Sequence, residues 1–199
     1  MKKDKGIPRA KFAAGLVLVF VLFPALYVSG QAKKIGDRTA PFFRILSSGT
    51  YHMKASDGDT EMELYCKGDM TSVAMIAEGE SLRMVSTGKK TYMIFDTSKM
   101  VLIGPSDANQ ESMKLEFDKM TFVRSGTAVF KGKSLPYDEY LDKDGDKSQF
   151  FVDGNKLAGI RSIDGKGEQS DMVISALDQN VPNSVFEIPA GYQVQDMSN

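Results

Sequence analysis

Few residues in this chain have the chemistry to catalyse a reaction or hold a metal. It has one histidine, one cysteine and no tryptophan. His52 lies in TYHMK, sharing a strand face with Thr50 and Lys54 and opposing Tyr51 and Met53. That reads as a solvent-facing strand histidine. A Ser–His–acid triad would need a poised serine, and no nucleophile-elbow pattern is present. A zinc site needs three or four ligands, and His52 and Cys66 fall on separate strands. Cys66 lies beside Met62 and Leu64 on an apolar strand face, so it reads as a buried, inert thiol. With one cysteine, no intrachain disulfide forms.

Carboxylates give two further patterns. Asp142, Asp144 and Asp146 alternate as calcium ligands do. An EF-hand loop wants glycine at its sixth position and glutamate at its twelfth. Here those are Lys147 and Asp153, and strands rather than helices flank the loop. It reads as a charged hairpin turn around Asp144-Gly145. Glu61/Glu63 and Asp138/Glu139 are pairs of the kind used in acid–base work, and solvated strand faces look the same. There is no glycine-rich phosphate loop and no basic–aromatic interleaving for single-stranded nucleic acid. The chain is expected to use no cofactor and no metal, and to be no enzyme.

The elements that carry these residues are strands. From Thr50 to about Ala176 apolar and polar residues alternate with period two, and a turn arrives every eight to twelve residues. Asp57-Gly58, Gly68-Asp69, Glu78-Gly79, Thr87-Gly88, Gly145-Asp146, Gly154-Asn155 and Asp164-Gly165 are hairpin signals. Thr91–Asp96 and Lys99–Ile103 are apolar on both faces and are expected to be central. Ser106–Ser112 is a polar turn or loop, Met113–Asp118 has no clear pattern, and Ser125–Lys133 is a loop or weak strand. Gln193–Asn199 is expected to fray. Before the strands, Phe42, Phe43, Ile45 and Leu46 fall on one side at helical spacing. Asp37 or Thr39 can cap that helix, and Ser47-Ser48-Gly49 ends it. Two turns of helix are marginal alone, so the phenylalanines should lie on the sheet. The fold class is all-β: about eleven antiparallel strands in an unclosed barrel, with a short N-terminal helix.

Residues 1–32 stand apart. A basic start, KKDKGIPRAK, precedes an apolar run over residues 12–28. This is an export signal or an uncleaved anchor in the cytoplasmic membrane, with its basic end inside. The domain Lys33–Asn199 is therefore expected outside that membrane, secreted or anchored to its outer side. It retains 20 basic and 25 acidic residues, net −5. That excludes nucleic acid as a favoured partner.

Methionine is the remaining signal. Met53, Met62, Met75, Met84, Met93 and Met120 lie in strands, the strand faces also carry Leu64, Leu82, Ile94 and Met93 or Phe95, and a flexible, polarizable wall of this kind adapts to varied apolar ligands. Long twisted sheets curl, so one side should be concave and filled by the Phe42/Phe43 helix, by a ligand, or by both. Phe42, Phe43, Met53, Met62, Leu64, Met75, Leu82, Met84 and Ile94 are the candidate ligand-binding residues. The expected ligand is hydrophobic or amphiphilic: a lipid, an acyl chain or an apolar peptide. The protein is expected to be a monomer.

The closing segment Val181–Tyr192, VPNSVFEIPAGY, resembles the LolA-like superfamily, in particular its Gram-positive-type members. Pro182, Ser184, Phe186, Ile188, Pro189, Gly191 and Tyr192 carry the likeness, and the KKTYMIFDTSKM hairpin and the LPYDEYLDKDGDKSQFFVDGNKLAGI stretch resemble that group too. The resemblance implies an unclosed β-barrel with a helix inside it or across its mouth, holding acyl chains or lipoproteins. It also implies a strand arginine, for which Arg83 is the candidate. Two other classes remain open: an envelope sensor that contacts a membrane partner, and a hydrolase.

Overall fold

The structure is a computed structural model, and it describes residues 34–77, 80–105 and 120–197. The export segment, the Glu78-Gly79 turn and the stretches Ser106–Ser112 and Met113–Asp118 lie outside the described residues. Among the described residues no helix is long and apolar enough to cross a membrane.

A short helix, α1 (Ala40–Ser47), precedes β1 (Thr50–Ser56), β2 (Thr60–Lys67), β3 (Met70–Ala77), β4 (Glu80–Thr87), β5 (Lys90–Phe95) and β6 (Met100–Pro105). Then come β7 (Thr121–Phe130), β8 (Lys133–Leu141), β9 (Lys147–Asp153), β10 (Lys156–Ile163) and β11 (Gln169–Asp178). A 3₁₀ turn (Asn183–Phe186) and β12 (Gln193–Asp196) close the chain. All twelve strands form one open sheet in the order β12-β6-β5-β4-β3-β2-β1-β11-β10-β9-β8-β7. Two meanders, β1–β6 and β7–β11, are joined where β11 pairs antiparallel with β1. The unclosed antiparallel sheet with a short helix is the architecture the sequence pattern called for.

Three local expectations change. The tail forms β12, which pairs parallel with β6, and Gln193 and Met197 donate backbone hydrogen bonds to the Lys99 and Ile103 carbonyls, each at 2.8 Å. Strands β5 and β6 are near an edge, not central. They are apolar on both faces because the segment between β11 and β12 lies across their second face: Val85, Ile94 and Val101 pack there with Phe186, flanked by Val181, Val185, Ile188 and Tyr192. Ser125–Lys133 is no loop. β7 continues through Phe130, and Lys131 and Gly132, both at positive φ, make the turn into β8. Gly159 permits this hairpin to fold down, since a Cβ there would sit 2.3 Å from the Phe130 ring and from the Met172 carbonyl oxygen.

The main core lies between α1 and the sheet. Phe42, Phe43 and Leu46 pack on Tyr51, Met53, Leu64, Tyr140, Phe150 and Ile174. Phe43 meets the Phe150 ring edge-on at 5.2 Å and the Tyr140 ring at 5.2 Å. The helix is also held by polar groups. Thr39, its N-cap, does not cap with its own side chain. Instead Asp138, fully buried on β8, accepts the Thr39 N–H at 3.0 Å, the Thr39 hydroxyl at 3.1 Å and the Ser125 hydroxyl at 2.6 Å. Tyr140 accepts the Gly36 N–H at 3.0 Å and bonds the Thr39 hydroxyl. Asp138 thus shares the Thr39 N–H with the Gly36 carbonyl, 3.2 Å away, and ties the helix start to the sheet.

Candidate functional site

Strand register decides which side chains share a surface. Direct cross-strand partners point to one side of a sheet, and from β1 to β6 the partners form three unbroken rows on the face that carries α1. The first is Tyr51, Cys66, Thr71, Ser86, Thr91 and Gly104. The second is Met53, Leu64, Val73, Met84, Met93 and Leu102, and the third is Ala55, Met62, Met75, Leu82, Phe95 and Met100. No residue in the three rows is charged. The second and third rows are wholly apolar.

Helix α1 contacts β1 and β11, so it covers the start of these rows. Met53, Met62 and Leu64 are accordingly buried, at 2%, 7% and 1% exposure. Further out, Met75, Leu82, Met84, Met93, Phe95, Met100 and Leu102 are only half-buried. Of the nine residues expected to bind ligand, Phe42, Phe43, Met53, Met62 and Leu64 belong to the packed core beneath the helix. Met75, Leu82 and Met84 line the half-buried surface beside it. Ile94 does not join them. It points to the opposite face and packs with Val85, Val101 and Phe186, because period two puts it out of phase with Met93 and Phe95. The sequence does not single out Met100 and Leu102, and it leaves open whether Met93 or Phe95 shares the face, since the face of β5 and β6 is fixed by register rather than by alternation.

The first row is different. Cys66 is buried, and burial raises its thiol to about 12, which leaves it unreactive. Burial likewise pushes the Tyr51 phenol far above its usual range. The Tyr51 hydroxyl makes no conventional hydrogen bond and has the weakly bonding Cys66 thiol as its neighbour. Thr91 Oγ1 is also buried without a hydrogen-bond partner.

The titratable groups lie elsewhere. His52 is not solvent-facing: its side chain is 14% exposed and is clasped on the opposite face. Nε2 stands 3.0 Å from Glu63 Oε1 and Nδ1 3.3 Å from Asp178 Oδ2, and the ring stacks on Tyr65 at 4.5 Å. Burial acts to raise the Glu63 carboxyl, and hydrogen bonds from Tyr65 and His52 outweigh it, so Glu63 sits below its ordinary range. Asp178 is lowered by the Asn180 N–H and then by His52. Burial and Glu63 push Tyr65 up to about 12. The group is a polar clasp across β2, β1 and β11.

Asp138 and Glu139 do not act as a pair, since neighbours on a strand face opposite ways. Glu139 bonds Gln149 at 2.7 Å and Arg124 at 3.1 and 3.2 Å, and lies below its ordinary range: burial acts against this, and those two partners prevail. Arg83 also faces away from α1, and its guanidinium reaches the carbonyls of Val185 and Glu187 at 3.5 and 3.4 Å. It anchors the closing segment. In the acidic turn, Asp142 Oδ1 accepts the N–H groups of Asp144 and Asp146 at 2.8 and 3.0 Å, and Gly145 takes the positive φ. Among the described residues no three His, Cys, Asp or Glu side chains come together as metal ligands do.

No family model matches the chain, and no curated protein matches it. Solved structures do. An uncharacterized conserved protein from Thermus thermophilus is 10% identical, with a TM-score of 0.51 over 80% of this chain and 97% of that one. That likeness is one of fold. A DUF1329 family protein from Desulfovibrio piger is 11% identical, with a TM-score of 0.39 over 76% of this chain and 95% of that one. A LolA superfamily protein from Nitrosomonas europaea is 10% identical, with a TM-score of 0.34 over 70% of this chain and 88% of that one.

Proposed function

We propose that this protein is a non-catalytic, extracytoplasmic binding module that holds an amphiphile against the α1 face of its sheet. One observation carries the reading: Met75 and the uncharged apolar rows of β4–β6 are left half-buried beside a helix that is fixed in place. Apolar area of this kind on a folded chain is a binding surface or a hazard. Each methylene buried there gains about 0.8 kcal/mol. Ordering the chain takes back part of that gain, which leaves roughly micromolar affinity for an acyl chain. Methionine side chains repack, so chain-length selectivity is low. The export or anchor segment supports a position outside the cytoplasmic membrane, where the module acts as a monomer.

The test is mass spectrometry of what co-purifies with the full chain, together with displacement of a fluorescent apolar probe from natively folded protein. A bound amphiphile, with Met84→Lys weakening probe binding while the unfolding midpoint holds, is the expected result. Folded protein that retains nothing and binds no probe at tens of micromolar ends this reading.

A second reading, an envelope interaction protein, draws on the sheet edge. Strand β7 is terminal in the sheet, and Val123 and Val129 on it are 48% and 62% exposed. An edge of this kind can accept another strand.

A further inference from the structure

Over β4–β6 the α1 face inverts the usual layering. Its apolar residues there are half-buried, whereas Ser86 and Thr91 of the hydroxyl row are buried. Buried hydroxyls are almost always hydrogen-bonded. Among the described residues, the two buried side-chain polar atoms without a partner, Tyr51 Oη and Thr91 Oγ1, both fall on this one row. Tyr51 has the weakly bonding Cys66 thiol beside it, whereas Thr91 forgoes outright a hydrogen bond that water would have supplied.

Thr91 lies between Ser86 on β4 and Gly104 on β6, with Thr71 beyond Ser86 on β3. Strand spacing puts Thr71, Ser86 and Thr91 within about 10 Å along the row. The two apolar rows begin at the next residue pair on each strand and extend about 14 Å from the hydroxyls. Gly104 adds no side chain opposite Thr91, and a Cβ built there would meet nothing within 4 Å, so open space lies across the strand pair from the buried hydroxyl.

We propose that the Thr71–Ser86–Thr91 row is the head-group subsite of the amphiphile site and that it selects an uncharged head, an acylglycerol-type ester, over a fatty-acid carboxylate. This rests on the binding reading above. An ester carbonyl or glycerol hydroxyl takes the hydrogen bond that Thr91 lacks and brings no charge into the row. A carboxylate would be stripped of water there, and the described rows offer it no cation. Burying an unpaired charge costs far more than burying a neutral polar group. The acyl chain then runs from the hydroxyls across Met84 and Met93 toward Leu82 and Phe95.

The experiment uses the full chain in bilayer nanodiscs, with photoreactive diazirine probes of equal chain length: a monoacylglycerol and a fatty acid. Unlabelled monoacylglycerol should compete about tenfold better than the acid, and adducts should map to β4–β6. Thr91→Val removes the hydroxyl at constant shape. It should cut the monoacylglycerol advantage about three- to tenfold, the loss expected for one hydrogen bond. The same variant should not lower the unfolding midpoint of the ligand-free protein, because the hydroxyl has no partner to lose. Labelling by both probes with equal competition, or preference for the acid, overturns the head-group assignment and leaves the binding module standing. A Thr91→Val variant that binds both as wild type does the same. Labelling by neither probe ends both.

Discussion

Single residues carry the fold's polar commitments. Asp138 is the heaviest of these, because three donors converge on a carboxylate with no exposure. Asp138→Ala removes an acceptor that three donors share, although the Gly36 carbonyl still takes the Thr39 N–H, and should cost about 1–3 kcal/mol in urea unfolding. Ser125→Ala removes a single, less buried donor and should cost about 1 kcal/mol. The clasp around His52 acts through pH. Glu63 and Asp178 are both held below the ordinary carboxylate range in the folded protein. A depressed carboxyl adds stability above its unfolded pKa, and that stability is lost as pH falls through the folded value. The urea midpoint should therefore drop on acidification from about pH 5 to about pH 3, and His52→Gln should make the drop shallower. An unchanged slope in the variant would detach the two carboxylates from His52. His52 and Asp178 are far apart in sequence, so alternation alone put the histidine on a polar face and had no means of adding the two acids that flank it.

Elements show what period and register each contribute. The Phe42/Phe43 helix was legible from spacing, and Phe43→Ala should cost about 3–5 kcal/mol, read as a shift in the denaturant midpoint. Its anchoring was not legible: Asp138 and Tyr140 lie about a hundred residues away, and a Thr39 next to a helix reads as a self-cap. The strands from Thr50 to Ser86 were legible because hairpins of fixed length carry one register into the next. Strands β5 and β6 were misplaced because apolarity on both faces is the mark of a central strand, and the closing segment supplies the same burial near an edge. Gly159 shows how a single missing side chain sets an element's position. Gly159→Ala drives a methyl into the Phe130 ring and the Met172 carbonyl, and should destabilise by about 1–3 kcal/mol while leaving probe binding on the other face intact.

At the scale of the molecule the sheet has a packed layer on each side. The closing segment is bound down by Lys67 to Asn183 at 2.6 Å, Arg83 to two carbonyls, and Tyr192 to Asp96 at 3.0 Å. It then delivers β12 to the edge of β6, where Lys90 pairs with Asp196 at 3.1 Å. Ending the chain after Tyr192 should uncover the β6 edge. The expected outcome is a lower thermal midpoint and concentration-dependent association in light scattering, since an open edge recruits other strands. A monodisperse truncated protein would show that β12 seals nothing.

The join between β1 and β11 sets a timetable. Within each meander, pairing partners are close in sequence, whereas His52 and Asp178 at the join are 126 residues apart. Closing a long loop before any contact rewards it is slow, so the two hairpin series should form first and meet last. Substitutions at the join then act mainly on the rate of coming apart. Ile174→Val, at the Ala55 pairing, should cost about 1 kcal/mol. That loss should appear almost wholly in the unfolding limb of a chevron plot, with the refolding limb unmoved. A slowed refolding limb would mean that the two halves assemble around their join from the outset.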